Sequence, residues 1–260
     1  MKYILKYSFY EMVRSKWAYI YTGFYLCVTF ALYLLSNDLD KTLISLSNIT
    51  LALTPLIGIL FGTSYYYSSK EFLQLLLSQP ISRWHLFLGM YGGMAITLCV
   101  SILIGIGLPL ISFGILSSAS VNLFLLLMTM ACTLSVIFSL IAFLIAMQFD
   151  DKVKGLSISI FIWLFFAILY DGFTLLLLFL FKDYPLDKFT IGAVITNPID
   201  LARILITMNL DVSAMMGYTG AVMSKFLGKG IGMVVITISL ILWTLIPLGL
   251  LKQMGIKKDF

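Results

Sequence analysis

Few side chains in this sequence have the type and spacing that a catalytic site requires. His85 is the only histidine and no G-x-S-x-G motif accompanies it, so a serine hydrolase site is not indicated. An intramembrane aspartyl protease needs two carboxylates at bilayer depth, and Asp171 is the only charged residue that we predict inside a membrane span. GKGIG at Gly228 to Gly232 lacks the spacing of a phosphate-binding loop. We therefore predict no catalytic residue, and any ATP hydrolysis would belong to another subunit.

Metal binding by this chain is also weakly indicated. The three cysteines form no C-x-x-C pair, and packing is their expected role. Copper(I) favours thioether ligands, and four methionines lie in one predicted loop: Met208, Met215, Met216 and Met223. Their neighbours are apolar and no His or Cys accompanies them, so we predict no metal ligand.

The composition is that of an integral membrane protein. Hydrophobic residues make up 61% of the chain and charged residues 11%, with a mean hydropathy of +1.04, whereas a soluble domain has about 25% charged residues. The net charge is +5, but no basic patch is interleaved with exposed aromatic residues. We therefore predict that the chain lies in the lipid bilayer and that nucleic acid is not a binding partner.

Six apolar runs are each long enough to cross a bilayer as a helix. They are apolar on all sides, unlike the alternating strands of a barrel, which predicts an all-α integral membrane protein with a single transmembrane domain over 1–260. The predicted spans are Trp17 to Ser36, Leu43 to Tyr67, Leu86 to Leu116, Val121 to Phe149, Val153 to Phe181, and Gly230 to Leu251.

The distribution of lysine and arginine predicts the orientation. If the N-terminus is cytoplasmic, eleven of the 17 basic residues fall on the inner side, and five of the other six share one long loop, residues 182–229. Because basic residues are enriched in cytoplasmic segments, we predict that both termini are cytoplasmic.

The first sixteen residues, MKYILKYSFYEMVRSK, carry apolar side chains at helical spacing. Leu5, Phe9, Met12 and Val13 fall on one side, which favours a helix in the inner membrane interface. A simple basic topogenic tail is the alternative.

The loop at residues 68–85 includes the ordered stretch KEFLQLLLSQP. Lys70 to Gln79 predicts a short helix that ends at Pro80. Phe72, Leu75 and Leu76 lie on one side of it, while Glu71 and Gln74 project elsewhere. Periodicity alone leaves two interpretations equally open, namely a contact with a soluble partner or a helix that shapes the turn between spans.

The long outer loop contains a second predicted helix. Asn197 and Pro198 are typical of a helix start, and Asp200 falls in the first turn, where the helix dipole favours it. Leu201, Ile204, Leu205 and Met208 follow at helical spacing, with Arg203 on another face, and the helix should end near Asn209. Its apolar side is expected to re-enter the outer leaflet, to contact a partner, or to pack on its own bundle.

Asp171 is the polar outlier within a span. Its neighbour Gly172 and the length of this run predict a helix break, followed by a shorter re-entrant piece. We favour a helix-capping or dimer-contact role for Asp171 over a role in transport.

The stretch EFLQLLLSQPISRWHLFLGMYGG resembles the first cytoplasmic loop of ABC type-2 permeases, whose coupling helix seats in an ATPase subunit. The resemblance implies a homodimer of permeases over an ATPase dimer, with ATP and Mg bound by the ATPase and no cofactor in this chain. It also implies a bacterial inner membrane location. The residues implied in ATPase contact are Lys70, Glu71, Phe72, Gln74, Leu75, Asp150, Asp151, Lys152 and Lys154.

Two further stretches resemble the NosY family, the permeases of nitrous oxide reductase maturation systems. They are DDKVKGLSISIFIWLFFAILYDG from Asp150 and NPIDLARILITMNLDVSAMMGYTGAVM from Asn197. The resemblance implies a NosF-like ATPase, a NosD-like periplasmic protein, and a role in assembly of the copper-sulfur cluster of the reductase. The residues implied in contact with the periplasmic partner are Asn197, Pro198, Asp200 and Arg203.

Two other functions remain open at this point. One is an ABC type-2 permease that exports another cargo, such as a lipid or a drug. The other is a stand-alone helical enzyme or channel, which would need a self-sufficient polar site that the sequence does not indicate.

Overall fold

The computed structural model describes residues 2–77, 82–181, 187–209 and 217–257, and describes the backbone alone for residues 2, 187–188, 217–229 and 257. Every regular element in these ranges is helical. The α-helices are α1 (Lys2–Arg14), α2 (Lys16–Ser36), α3 (Leu39–Ser68), α4 (Lys70–Leu77), α5 (Arg83–Ser112), α6 (Val121–Gln148), α7 (Lys152–Leu164), α8 (Tyr170–Leu180), α9 (Asp187–Thr196), α10 (Pro198–Asn209) and α11 (Gly217–Lys257).

Six segments among the described residues are long and apolar enough to cross a membrane, which confirms the predicted number of spans. Their ends differ by a few residues from the sequence prediction. They are Lys16–Ser36, Leu39–Ser68, Arg83–Ser112, Val121–Gln148, Lys152–Leu180 and Gly230–Ile256. The chain is therefore an all-α, multi-pass membrane protein.

The third and fourth spans form the centre of the bundle. In their most apolar stretches 61% and 78% of the residues are buried by the chain itself, against 6% in the fifth span. Aromatic side chains fill the contact between α3 and α6, where the ring centroids of Tyr66 and Phe143 are 5.2 Å apart. The fifth span therefore lies at the edge of the chain and leaves most of its surface for lipid or another protein.

Helix α1 packs along the first turns of α5. A Cβ atom on Gly93 would lie 2.6 Å from the Cβ of Ser8, so only glycine allows the two backbones to approach this closely. Ser8 and Met12 are buried at this contact. Leu5, Phe9 and Val13 are half-buried, so the inward face is rotated slightly from the one that the periodicity predicts. The helix is present as predicted, and its place in the membrane interface stays a prediction.

The fifth span has no break at Gly172, so the predicted re-entrant piece after that residue is wrong. Helix α7 passes through a π-helical turn at Phe165–Leu169 and continues as α8 to Leu180. Within a bilayer a broken helix exposes backbone groups that lipid cannot satisfy, and this cost outweighs the low helix propensity of one glycine. The irregularity falls about one turn earlier, where the side chain of Asn197 donates a hydrogen bond to Phe166 O.

A sharp bend between two helices lies instead in the long loop after the fifth span. Phe189–Thr196 and Pro198–Asn209 form a helical hairpin bent by 108°. Side chains from two spans satisfy carbonyls at the end of α9, since Tyr170 Oη donates to Ala193 O at 2.8 Å and Trp243 Nε1 donates to Ile195 O at 3.1 Å. The described bounds of α10 match the predicted start and end of that helix.

The apolar face of α10 is covered by its own chain. Leu201, Ile204, Leu205 and Met208 are all at least 95% buried. Of the three expectations for this face, the structure has the one in which the helix packs on its own bundle. Helix α11 begins at Gly217, inside the segment predicted as loop, and within its described side chains the candidate membrane span is Gly230–Ile256.

Candidate coupling surfaces at the two ends of the bundle

Two groups of predicted site residues lie at opposite ends of the bundle. We call one end of the bundle the terminal end, because α2 begins there and α11 ends there. The turns between α3 and α5 and between α6 and α7 lie at the same end. The hairpin of α9 and α10 lies at the other end, which we call the hairpin end. Because the span helices run from one end to the other, the two ends face opposite sides of a membrane. The predicted contacts with an ATPase fall at the terminal end and those with a periplasmic protein at the hairpin end.

At the terminal end, α4 is anchored through one residue and presents the others. Leu73 is fully buried, whereas Glu71, Gln74 and Leu75 are exposed, with Leu75 at 69%. Phe72 is half-buried because its ring stacks on Tyr7 of α1, with 4.8 Å between the centroids. Ser78 and Gln79, which we predicted as the end of this helix, lie outside the described residues.

The second loop at this end is short and starts α7. Asp151 caps the helix, since its Oδ1 accepts a hydrogen bond from Val153 N at 2.8 Å. Asp150, Asp151, Lys152 and Lys154 are all exposed. The charged groups of this loop therefore face away from the bundle, beside those of α4.

The structure joins these two loops, which lie about 80 residues apart in sequence. Lys70 Nζ lies 2.9 Å from Asp150 Oδ1. Tyr67 Oη donates a hydrogen bond to Phe149 O at 2.7 Å and lies 3.1 Å from Asp151 O. Lys70 is 28% exposed and Asp150 82% exposed, so the ion pair itself adds little stability. Together these contacts hold α4 and the start of α7 next to each other.

Gly155 makes this junction possible. A Cβ atom at position 155 would collide with the hydroxyl of Tyr67. The sequence prediction missed both Tyr67 and Gly155, because each is unremarkable in a membrane span and only their contact gives them a role.

At the hairpin end, one guanidinium contacts two carboxylates. Arg203 Nη1 lies 2.7 Å from Asp171 Oδ2 and 3.0 Å from Asp200 Oδ1. Asp171 belongs to α8, whereas Asp200 and Arg203 belong to α10. The ion pairs therefore tie the hairpin to the fifth span, and the one charged residue predicted within a span has a cationic partner.

Asn197 connects the same network to the π-helical turn. Its Nδ2 donates to Phe166 O and to Asp200 Oδ2, both at 2.9 Å, and its Oδ1 accepts from Ile199 N at 3.0 Å. One side chain thus caps α10 and satisfies a carbonyl of the irregular turn. This double role explains why the irregularity in the fifth span sits at Phe165–Leu169.

Burial and a neighbouring charge alter the acidity of this cluster. Desolvation, together with the negative charge of Asp171, raises the pKa of Asp200 to about 7 against the opposing effect of Arg203. Asp200 lies on α10, outside the six spans. Two carboxylates that share one guanidinium leave a net negative charge, so protonation of Asp200 neutralises the cluster.

The residues predicted to contact a periplasmic partner have internal contacts in this conformation. Asn197 and Pro198 are buried, and Asp200 and Arg203 are partly exposed. The contact with a partner stays a prediction for these four residues. Among the methionines, Met208 is buried in the bundle, Met215 and Met216 lie outside the described residues, and so does the side chain of Met223.

Together, the six-span bundle and its two polar ends define the class of this chain as a multi-pass helical membrane protein. No family model matches the sequence. The chain is similar to a protein of Pseudomonas aeruginosa named probable ABC transporter permease protein NosY, with 26% identity over 189 residues, or 68% of this chain and 67% of the relative. A protein of the same name from Stutzerimonas stutzeri is 24% identical over 177 residues, or 65% and 64%.

The chain thus spans about two thirds of the length of these curated relatives. The similarity supports a NosY-like ABC transporter permease, in agreement with the sequence resemblance.

Proposed function

We propose that the chain is the membrane subunit of an ABC transporter that receives force from a separate ATPase and passes it to a protein on the other side of the membrane. The observation that carries the proposal is the junction of α4 with the start of α7. Lys70 forms an ion pair with Asp150, and the hydroxyl of Tyr67 binds the backbone carbonyls on either side of Asp150. A push on either loop is therefore transmitted to both.

The exposed side chains at this junction suit a soluble partner. Glu71 and Gln74 can accept and donate hydrogen bonds, and Leu75 offers an apolar contact. Lys152 and Lys154 add positive charge next to them. The partner in this proposal is a NosF-like ATPase dimer that binds ATP and Mg, so the chain itself needs no cofactor and catalyses no reaction.

A second copy of the chain completes the unit that an ATPase dimer would move. The fifth span is the surface that suits this contact, because the chain buries only 6% of its most apolar stretch. The π-helical turn lies in the middle of this span, so a dimer contact there would sit beside the carbonyl that Asn197 binds. In this arrangement both termini are cytoplasmic and the membrane is the bacterial inner membrane.

The far end of the mechanism is the hairpin of α9 and α10. Arg203, Asp171 and Asn197 fasten the hairpin to the fifth span, whose first residues form the coupling junction. Closure of the ATPase dimer would tilt the fifth span as a rigid body and move the hairpin with it. We propose a NosD-like periplasmic protein as the partner, in support of copper-sulfur cluster assembly of nitrous oxide reductase.

The proposal is tested by charge reversal at α4. Glu71→Arg should abolish co-purification of the NosF-like ATPase and reduce reductase maturation at least about tenfold, since one repulsive charge at a buried contact is unfavourable by more than 1.4 kcal/mol. Lys252→Glu is the matched control, because Lys252 is exposed at the same end but belongs to neither loop. It should keep both activities.

Two results would contradict parts of the proposal. Normal ATPase capture and full maturation with Glu71→Arg would remove the coupling role of α4. Normal capture in wild type without any dependence of the reductase on this chain would favour the alternative, a permease that exports another cargo such as a lipid or drug. Neighbouring genes for an ATPase, a periplasmic repeat protein and the reductase would support the first function.

A further inference from the structure

Helix α1 turns an unusual combination of side chains outward. Three tyrosines and two basic residues share the side opposite its contact with α5, and we call this set the aromatic-basic face: Tyr3, Lys6, Tyr7, Tyr10 and Arg14. Tyr3 is 89% exposed, Tyr7 50% and Tyr10 52%, and Lys6 and Arg14 are also exposed. Positions 3, 7, 10 and 14 repeat at helical spacing, so the face is continuous along about three turns.

The position of α1 relative to the bilayer is set by what it is joined to and packed against. Ser15 alone separates α1 from α2, the first membrane span, and Ser15 Oγ caps that span at Trp17 N, 3.2 Å away. Gly89 meets Ile4 and Gly93 meets Ser8, so α1 runs beside the first part of the third span, Arg83–Ser112. This position, directly before the first span, favours the predicted place of α1 in the membrane interface.

The charge of α1 favours an anionic surface. Residues 2–16 carry four basic side chains and one acidic one, Glu11. Glu11 is also exposed and borders the aromatic-basic face, which leaves the helix with an excess of positive charge. Partial desolvation raises the pKa of its carboxyl, with the hydroxyl of Tyr65 of α3 opposing the shift. Basic residues next to a span attract anionic lipids, and tyrosines are enriched at headgroup level because their rings are apolar and their hydroxyls polar.

We infer that the aromatic-basic face of α1 binds the phosphate groups of anionic phospholipids in the leaflet at the terminal end. Lys6 and Arg14 are the cationic groups, and the hydroxyls of Tyr3 and Tyr10 are hydrogen-bond donors beside them. Lys6 Nζ lies 5.9 Å from the ring centre of Tyr10, so the cation and the ring sit in one patch. The inference rests on the membrane location of the chain and not on the proposed function.

Bound lipid would also touch the coupling region. Tyr7 belongs to the aromatic-basic face and stacks on Phe72 of α4. Headgroups that order α1 would therefore also restrict α4. This predicts that the lipid composition changes the contact between the permease and its partner, without any lipid entering the bundle.

Lipid retention by the purified full chain tests the inference. Native mass spectrometry would compare phosphatidylglycerol and phosphatidylcholine with the same acyl chains, added at equal concentration. The wild type should retain phosphatidylglycerol at least about fivefold more, and Lys6→Gln with Arg14→Gln should remove this preference. Lys41→Gln is the matched control, because Lys41 is exposed at the hairpin end, and it should keep the preference. A thermal unfolding curve for each variant shows whether the bundle is intact.

Several outcomes would overturn the inference. One is equal retention of the two lipids by the wild type. Another is an unchanged preference in a folded double variant. Competition by inorganic phosphate at equal concentration would mean that the face recognises a free anion. Loss of ATPase capture with unchanged lipid preference would mean that the face belongs to the protein partner.

Discussion

Arg203 Nη1 lies 2.7 Å from Asp171 Oδ2, and this contact joins the hairpin helix α10 to the fifth membrane span. Asp171 lies toward the hairpin end of its span, where a carboxylate is less unfavourable than at the helix centre, for which insertion scales give about 2.5 to 3.5 kcal/mol. The guanidinium offsets part of that cost, and Asp200 shares the same group at 3.0 Å. The polar residue that stands out in the sequence is therefore one member of a three-residue charge cluster, and the cluster ties the hairpin to the span.

Neutralising Asp171 should loosen this connection without unfolding the bundle. We expect Asp171→Asn to lower the stability by about 1 kcal/mol, because both partners are partly exposed and the amide keeps one hydrogen bond to Arg203. The melting temperature of the purified protein would fall by a few degrees. Lys41→Ala removes the exposed ion pair in which Lys41 Nζ lies 3.9 Å from Asp38 Oδ2. This change should alter the melting temperature by less than about one degree. Lost reductase maturation with unchanged stability and assembly would contradict the structural role.

The stability of the protein should fall as the pH rises through neutrality. Burial raises the pKa of Asp200 from its ordinary value to about 7, so the folded chain holds this proton more tightly than the unfolded chain. The stabilisation is complete below pH 4 and is lost as the pH passes about 7. Melting temperatures measured between pH 5 and pH 8 should decrease, and Asp200→Asn should flatten this decrease. A slope that is the same in Asp200→Asn would assign it to another group.

Two glycines in the fifth span should respond in opposite directions to alanine. Gly155→Ala places a methyl group against the hydroxyl of Tyr67 and should destabilise the coupling junction by about 1 to 3 kcal/mol. Gly172 has nothing within 4 Å and lies inside a helix, so Gly172→Ala should raise stability by about 0.5 to 1 kcal/mol. Melting temperatures of both variants measure the difference.

The double variant Gly155→Ala with Tyr67→Phe separates the collision from a general intolerance of alanine in the span. Removing the hydroxyl takes away the closest collision but leaves the ring Cζ 2.9 Å from the new methyl group, so the double variant should recover part of the stability that Gly155→Ala loses. No recovery would mean that the hydroxyl of Tyr67 is not what restricts position 155. A loss of stability in Gly172→Ala would favour the helix break that the sequence predicted there.

The sequence by itself determined the class of this protein, the six spans and the bounds of α10. These features depend on local properties: twenty apolar residues must form a helix in lipid, because no other spanning structure of a single segment satisfies its backbone. The start of α10 at Pro198 follows equally from local chemistry, since proline lacks the amide hydrogen that the first helical position does not need.

The tertiary structure alone decided which polar groups meet. Lys70 contacts Asp150, and Asp171 contacts Arg203. The members of each pair lie on different parts of the bundle and are far apart in the sequence. Which side chains face each other depends on the rotation and depth of each packed helix, and hydropathy is insensitive to both. The π-helical turn also depends on tertiary structure. The side chain of Asn197 donates a hydrogen bond to Phe166 O, a carbonyl that a regular helix would satisfy within the helix.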